Sequence, residues 1–308
     1  MNTRTFAAGR FALFVDGEAL GFVKSVAGGN TKGEVATKRT GPNKVIKKHL
    51  ATIKHEEITV ECGMGMGRPV YDWIQSSFTV SSKTKARPSR TRSGMIIHAD
   101  FDYKERRATL FSDAYITALT IPALDGSSKD PVYLSVRLNP TRLRHEKRNG
   151  ERLTPMKDTK KQKWLASAFA FEIGDLPCER VTKIDSFTIK QQVVTDPAGK
   201  RHEPTKHPSH LEVPNIKVTF SARDAAPWED WFNSFVIEGK CADDDELNGQ
   251  ITLLGPNHKD ELARITLRHV GIISLQPAKY HAKKGTVTKM VAELYVEEIK
   301  FAFNQAGI

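Results

Sequence analysis

The sequence predicts a mainly β protein made of two tandem β-sandwich or barrel domains, each with one short helix. The first observation is an alternating strand, Ile58–Cys62, followed by the helical motif Tyr71-Asp72-Trp73-Ile74. The second is a repeat of this order, in which Ile216–Phe220 precedes Glu229-Asp230-Trp231-Phe232. The same distance separates Ile58 from Asp72 and Ile216 from Asp230, which indicates an internal duplication.

A longer match supports the duplication. Ala108–Ala123 aligns without gaps with Ala263–Ala278. Each copy opens and closes with an alternating strand, at Phe11–Val15 and Val132–Leu138 in the first and at Phe169–Ile173 and Val291–Phe301 in the second. The predicted domains are therefore residues 1–146 and 165–308, with a basic linker at 147–164.

The elements of one copy follow from polarity patterns and turn residues. A helix is predicted over 69–78, because Pro69 suits a first helical turn and the apolar residues after it recur at steps of three and four. The polar segments 28–50 and 190–210 are predicted to be long loops. The predicted strands are 11–16, 20–27, 52–62, 95–102, 107–121 and 131–139.

Composition narrows the class of protein. The chain has 308 residues and a formal net charge of +11, and no window of 18 consecutive apolar residues predicts a membrane span. Its first residues lack the apolar core of a secretory signal. Cys62, Cys178 and Cys241 lie far apart, without the spacing of a disulfide framework or a zinc site.

The positive charge leaves an alternative function open. Basic residues are concentrated in segments 79–94 and 142–163, and such segments are typical of proteins that bind nucleic-acid phosphates. Aromatic residues that would stack on bases are scarce there. A nucleic-acid-binding protein is therefore the alternative reading, and a steep salt dependence of DNA affinity would favour it.

The order of elements resembles the tail-tube family of contractile-tailed phages, whose fold is shared by type VI secretion tubes and phage-tail-like injection particles. The resemblance rests on the Asp-Trp helix after the third strand, on Pro122 and Pro277 at the end of the following segment, and on Glu293-Leu294 in the last strand. It implies a structural protein of a phage tail or injection particle, which is not an enzyme and binds no cofactor or metal.

The resemblance also implies an assembly. Family members carry one such domain and form rings of six, so a tandem pair implies a trimer with pseudo-sixfold symmetry, or else a hexamer, that stacks on or caps the tail tube. The implied partners are further copies of the chain and other tail-tube, baseplate or sheath proteins, with DNA or cargo in the lumen and no membrane. The particle is expected to assemble in the bacterial cytoplasm.

Three groups of residues are predicted to serve this assembly. A subunit interface is predicted between a basic loop and an acidic run, with members Lys83, Lys85, Arg87, Arg90, Arg92, Asp243, Asp244, Asp245 and Glu246. Contacts between rings are predicted for the long loops, through Lys32, Lys38, Arg39, Lys44, Lys200 and Arg201. Trp73 and Trp231 are predicted to anchor the helices in the core.

Patterns of other chemistry are weaker. His202, His207 and His210 form a metal-like cluster, but their spacing in a Pro-rich segment does not place three rings on one helix face. The Gly63-Met-Gly-Met-Gly67 segment lacks the remainder of a phosphate-binding loop. No metal, cofactor or catalytic residue is predicted.

Overall fold

The structure is a computed structural model that describes residues 9–39, 46–78, 90–153, 164–196, 205–278 and 288–304. It is mainly β with short helices, so the predicted fold class is confirmed. The described elements of the first half are β1 (Arg10–Val15), β2 (Glu18–Val23), β3 (Ser25–Gly28), β4 (Thr31–Arg39), β5 (Ile46–His55), β6 (Ile58–Cys62), α1 (Arg68–Phe78), β7 (Arg92–Ala99), β8 (Glu105–Ile121), β9 (Leu124–Asp125), β10 (Leu134–Asn139) and β11 (Arg142–Lys147).

The second half follows a similar order. Its described strands and α-helix are β12 (Phe169–Ile173), β13 (Val181–Ile184), β14 (Phe187–Asp196), β15 (Thr205–Glu212), β16 (Ile216–Ser221), α2 (Ala225–Phe232), β17 (Leu247–Leu254), β18 (Glu261–Pro277) and β19 (Lys289–Phe303). Short 3-10 helices cover Ala222–Asp224 and Asp243–Asp245, and a π-helical turn, Asn233–Ile237, extends α2.

The strands of the two halves pair in the same order. The first half pairs as β1-β7-β8-β10-β6-β3, and the second as β12-β17-β18-β19-β16-β13. The single long strand β19 takes the place of β10 and β11, which pair with successive parts of β8. Residues at the same place in these two ladders are called counterparts below.

The counterparts correct the predicted alignment of β8 with β18 by one residue. Phe111 lies opposite Gly94, and Leu267 lies opposite Gly249. Asp113 and His269, which follow them, both have positive φ, at 48° and 51°. Phe111 therefore corresponds to Leu267, whereas the sequence alignment paired it with Thr266. Because side chains alternate between faces, Ala108 and Ala263, which the sequence alignment paired, lie on different faces of the sheet.

The prediction that segments 28–50 and 190–210 are loops is wrong. The described parts of these segments form two hairpins, β4 with β5 and β14 with β15. Their Val, Ile and Thr residues fit extended strands despite the polar and glycine residues that suggested loops. The predicted strand 52–62 is in fact the end of β5 and all of β6, separated by Glu56 and Glu57; the Glu57 carbonyl accepts from Gly29 N–H at 3.0 Å.

Helix α1 confirms the predicted helix and begins one residue earlier. Val70, Trp73, Ile74 and Phe78 are buried on one face, and the Trp73 indole N–H donates to the Arg90 carbonyl at 2.9 Å. None of the helices in the described part of the chain has the length and apolar character needed to cross a bilayer.

The two halves share one core. A single cluster of buried apolar side chains runs through both, and each large sheet contains strands from both halves. The described ends of the predicted linker also contact the first half. Trp164 is 2% exposed and its carbonyl accepts from Val132 N–H, while Leu153 N–H donates to the Tyr103 carbonyl. The halves are therefore held together by an extensive contact, called the intrachain junction below.

Candidate self-assembly interface

Strand pairing forms the centre of the intrachain junction. The first four residues of β14, Phe187–Lys190, pair antiparallel with Ala118–Ile121 of β8. They occupy the side of β8 that β7 leaves uncovered, since β7 pairs only as far as Ala114. Ile189 of β14 and its partner Leu119 are both 0% exposed. The second half thus supplies a strand that completes the sheet of the first.

Polar side chains fix the register of this pairing. The hydroxyl oxygens of Thr120 and Thr188, which lie opposite each other, are 2.8 Å apart. The Ser186 hydroxyl donates to the Ile121 carbonyl at 2.9 Å. A one-residue slip would break both bonds and place Ile189 on the wrong face of the sheet.

Lys206 adds a third polar contact from β15. Its ammonium group donates to the Pro140 carbonyl at 2.6 Å and to the Asn139 side-chain oxygen. Burial lowers the pKa of Lys206 below its ordinary value, and the Glu57 carboxylate opposes that shift. The lysine therefore joins the hairpin of the second half to the turn that follows β10.

Helix α1 makes a separate, aromatic contact across the junction. The rings of Tyr71 and Phe303 stack with centroids 4.8 Å apart, and those of Phe78 and Phe301 lie 6.1 Å apart. Tyr71 and Phe301 are each 4% exposed. The first half therefore covers the last part of β19 with the face of its helix.

The counterpart of the strand-pairing contact has no partner strand among the described residues of the second half. Beyond Val270, β18 pairs only with β19 among the described residues, which leaves one edge of Gly271–Pro277 uncovered. Burial diverges at this point. Ile116 and its counterpart Ile272 are both buried, but Ile121 is 1% exposed while its counterpart Pro277 is exposed. This open edge has the shape of an acceptor for one more strand.

The predicted basic loop lies mostly outside the described residues, which include neither Lys83, Lys85 nor Arg87. Arg92 is ion-paired within its own half, with 2.9 Å between its guanidinium and the Asp16 carboxylate. Arg90 contributes its carbonyl to Trp73. The described end of the loop is therefore used inside the first half, and its role between subunits stays a prediction.

The acidic run divides into two parts. Asp243, Asp244 and Asp245 are exposed, and the Asp245 carboxylate accepts from Ala242 N–H at 3.0 Å. Glu246 instead points inward, where its carboxylate accepts from the Tyr295 hydroxyl at 2.6 Å and contacts the His269 ring at 2.9 Å. Of the four acidic residues, the three aspartates therefore present exposed charge to a partner.

The residues predicted to link rings lie on or near the hairpins. Lys32 and Lys38 are exposed on β4, and Lys32 forms an ion pair with Glu56. Arg39 is the last residue of β4. Lys44, Lys200 and Arg201 lie outside the described residues. The contact between rings stays a prediction.

The tryptophans differ between the halves. Trp73 is 2% exposed, whereas Trp231 is only partly buried and packs against the outside of the core. The deepest tryptophan of the second helix is Trp228, which is 0% exposed and stacks on Phe220 at 4.6 Å. Sequence matching selected Trp231 because of its Asp-Trp motif, so Trp228 was missed.

One cluster has the composition of a metal site. Single ligand atoms of Glu246, His269 and Glu297 lie within 4.8 Å of one another. Both oxygens of Glu246 already accept hydrogen bonds from Tyr295 and His269, so the group is satisfied without an ion. Of the predicted histidine cluster, His207 and His210 lie on β15, and His202 lies outside the described residues.

Comparison with solved structures finds several similar chains, among them three from contractile injection particles. One is from the sheath–tube complex of a PVC extracellular contractile injection system in the extended state (14% identity, TM-score 0.40, covering 47% of this chain and 95% of that one). The second is from the tube-terminating cap of the anti-feeding prophage (14% identity, TM-score 0.38, covering 51% of this chain and 98% of that one). The third is from the baseplate of the anti-feeding prophage (14% identity, TM-score 0.36, covering 44% of this chain and 92% of that one). TM-scores of this size do not establish a common fold. No protein-family model and no curated protein matches the chain.

Proposed function

We propose that this protein is a non-enzymatic structural subunit of a phage tail or related contractile injection particle, and that it forms a closed ring. Each chain would join the next by the strand pairing that already joins its two halves. The ring would stack on or cap a tail tube and contact other tube, baseplate or sheath proteins. The motifs that resemble the tail-tube family support the particle, and the open edge of β18 supports the ring.

The proposal treats the chain as a tandem duplication. The two halves pair their strands in the same order, place Gly94 and Gly249 at counterpart positions, and carry positive φ at Asp113 and His269. Inside the chain, the second half donates a strand and the first half accepts it. If the two halves are copies of one domain, the first half also has a donor strand that is not yet used, and the second half has an acceptor edge that is not yet used. A head-to-tail contact of this kind generates a ring when the rotation closes.

The open edge of β18 is the observation that carries the proposal. Unpaired strand edges invite pairing with another chain, and monomeric proteins usually cover them. Here none of the described strands pairs with this edge in the second half, at the same place where the first half is covered by β14. Ile273, which lies in this edge, is 42% exposed.

The donor strand is the beginning of β4. Val26 and Ile184 are counterparts because they face Val60 of β6 and Val218 of β16, which makes residues 29–32 the counterparts of Phe187–Lys190. The β4–β5 hairpin pairs with no other described strand and exposes 57% of Val35 and 66% of Leu50. Isolated two-stranded hairpins are marginally stable in water, so this hairpin suits a partner.

Glycines allow the hairpin to change direction. Gly28 and Gly29 have φ of 76° and 73°, a conformation that only glycine adopts readily. Gly28 is the last residue of β3, which is fixed in the sheet of the first half, and Gly29 is the first of the donor residues 29–32. The hairpin can therefore turn towards a neighbour while β3 stays in place. Six domains in three chains give the expected pseudo-sixfold ring.

A proline at Leu275 tests the ring. Ala278 N–H donates to the Lys289 carbonyl, and alternation along the ladder then points the Leu275 N–H away from β19 towards the open edge. Leu275→Pro should remove the donor needed by an incoming strand and leave the β19 ladder intact. We expect negative-stain images of the native chain to show rings and those of Leu275→Pro to show single molecules.

Leu275→Ala is the matched control, because it shortens the same side chain but keeps the N–H group. It should form rings like those of the native chain. Absence of rings from the native chain at all concentrations would refute the proposal, and rings of unchanged abundance in Leu275→Pro would refute the role of this edge. Circular dichroism of each variant checks that the sheet itself is retained.

A further inference from the structure

The helix contact offers a second junction between chains, beside the strand pairing. Within the chain, the face of α1 that carries Tyr71 covers Phe301 and Phe303 of β19. This contact is aromatic and largely buried, as suits two halves of one chain. In the ring proposed above, α2 of one chain would cover the counterpart surface on the next chain.

That surface is the strand β11. Leu143 lies opposite Phe111 and Ile299 lies opposite its counterpart Leu267, so Leu143 corresponds to Ile299. Continuing along both strands, His145 corresponds to Phe301 and Lys147 to Phe303. Ile299 and Phe301 are buried by the intrachain junction, whereas His145 and Lys147 are exposed. The face of β11 is therefore uncovered and more polar than its counterpart.

The covering helix is changed in a matching way. The Asp-Trp pairs of α1 and α2 align, which makes Glu229 the counterpart of Tyr71. Glu229 and its neighbour Asp230 are exposed on the helix. The stacked pair Tyr71 and Phe303 thus has the oppositely charged residues Glu229 and Lys147 as its counterparts.

Both charges lack a partner in the part of the chain that the structure describes. Neither Glu229 nor Lys147 forms an ion pair or a side-chain hydrogen bond with any residue that the structure describes. The exposed Asp243–Asp245, which follow the second helix, have the same sign of charge as Glu229. Opposite charges on two surfaces steer association and select the correct orientation.

We propose that Glu229 of one chain and Lys147 of the next chain form an ion pair across each junction of the ring, in the place that Tyr71 and Phe303 occupy inside each chain. The inference rests on the ring proposed above. It explains why the chain uses aromatic residues where the contact is permanent and charges where it forms late. Exposed aromatic residues at these positions would give the unassembled chain apolar patches that promote aggregation, whereas charged residues keep it soluble until it assembles.

Charge reversal tests the pair. Glu229→Lys and Lys147→Glu each replace attraction by repulsion at every junction, and we expect each to raise the concentration for half-assembly by about tenfold or more at low salt. The double variant restores opposite charges in exchanged positions and should assemble within a few-fold of the native chain. Half-assembly is measured by sedimentation velocity or mass photometry of the full chain.

Lys259→Glu is the control for net charge. Lys259 is exposed on the turn between β17 and β18, and this substitution changes the net charge by the same amount as Lys147→Glu. It should leave assembly unchanged. Native rings with unaffected single variants, or single defects that the double variant does not repair, would overturn the ion pair while the ring stands. Failure of the native chain to assemble would instead overturn the ring itself.

Discussion

Replacing Ile189 by aspartate is expected to destabilise the molecule by about 4 kcal/mol or more, because it places an unpaired carboxylate in the shared core. Ile189 is 0% exposed and pairs with Leu119, which is equally buried, at the centre of the intrachain junction. Since a single apolar cluster joins the halves, the native chain should unfold in one step. The variant should unfold at lower denaturant concentration and in two steps.

Urea unfolding followed by tryptophan fluorescence measures this effect. Ile189→Val is the control, since it removes one methylene from the same site and should lower the free energy of unfolding by only about 0.5–1.5 kcal/mol. If the aspartate variant unfolded in one step at the midpoint of the valine variant, the junction would not couple the halves.

Replacing Trp228 by alanine is expected to lower the free energy of unfolding by about 3–5 kcal/mol. The indole is completely buried, stacks on Phe220 and donates to the Pro177 carbonyl at 3.3 Å. Alanine would leave a large cavity beneath α2 and an unsatisfied carbonyl, and the surrounding sheet can collapse only in part.

Trp231→Ala is the matched substitution on the same helix. Trp231 is only partly buried, and its buried indole nitrogen has no hydrogen-bond partner among the described residues. Its loss should therefore destabilise the chain less than the loss of Trp228. Chemical denaturation of both variants compares them directly, and an equal or larger effect at Trp231 would contradict this assignment of the core.

Local patterns in the sequence predict much of each half. The alternation in Ile58–Cys62 and Ile216–Phe220 predicts β6 and β16, and the helical spacing after Pro69 predicts α1. These features depend on residues close together in the chain, where side-chain period and backbone geometry are directly linked. The prediction failed for the solvent-exposed strands β4 and β5. Because neither face of such a strand is buried, its sequence lacks the alternation of apolar and polar residues by which strands are recognised.

The candidate interface could not be predicted in the same way. Pairing of Phe187–Lys190 with Ala118–Ile121 joins segments far apart in sequence. Neither segment has a sequence pattern that indicates which strand it pairs with. The importance of Leu275, Glu229 and Lys147 appears only when counterpart positions are compared in three dimensions. Ile273 is apolar and 42% exposed at a register shift of β18, and this exposure is visible only in the three-dimensional structure.

A disulfide between chains tests the proposed pairing of β4 with β18 most directly. Thr120 and Thr188 meet side by side across the intrachain junction, and their counterparts are Gln276 and Asn30. Cysteines at those two positions, in a chain whose exposed Cys241 is replaced by serine, should lie within disulfide reach only between neighbouring chains. Oxidation is predicted to give a covalently closed trimer on a non-reducing gel, which neither single cysteine variant forms. Recovery of monomer alone, under conditions where the chain assembles, would contradict the account.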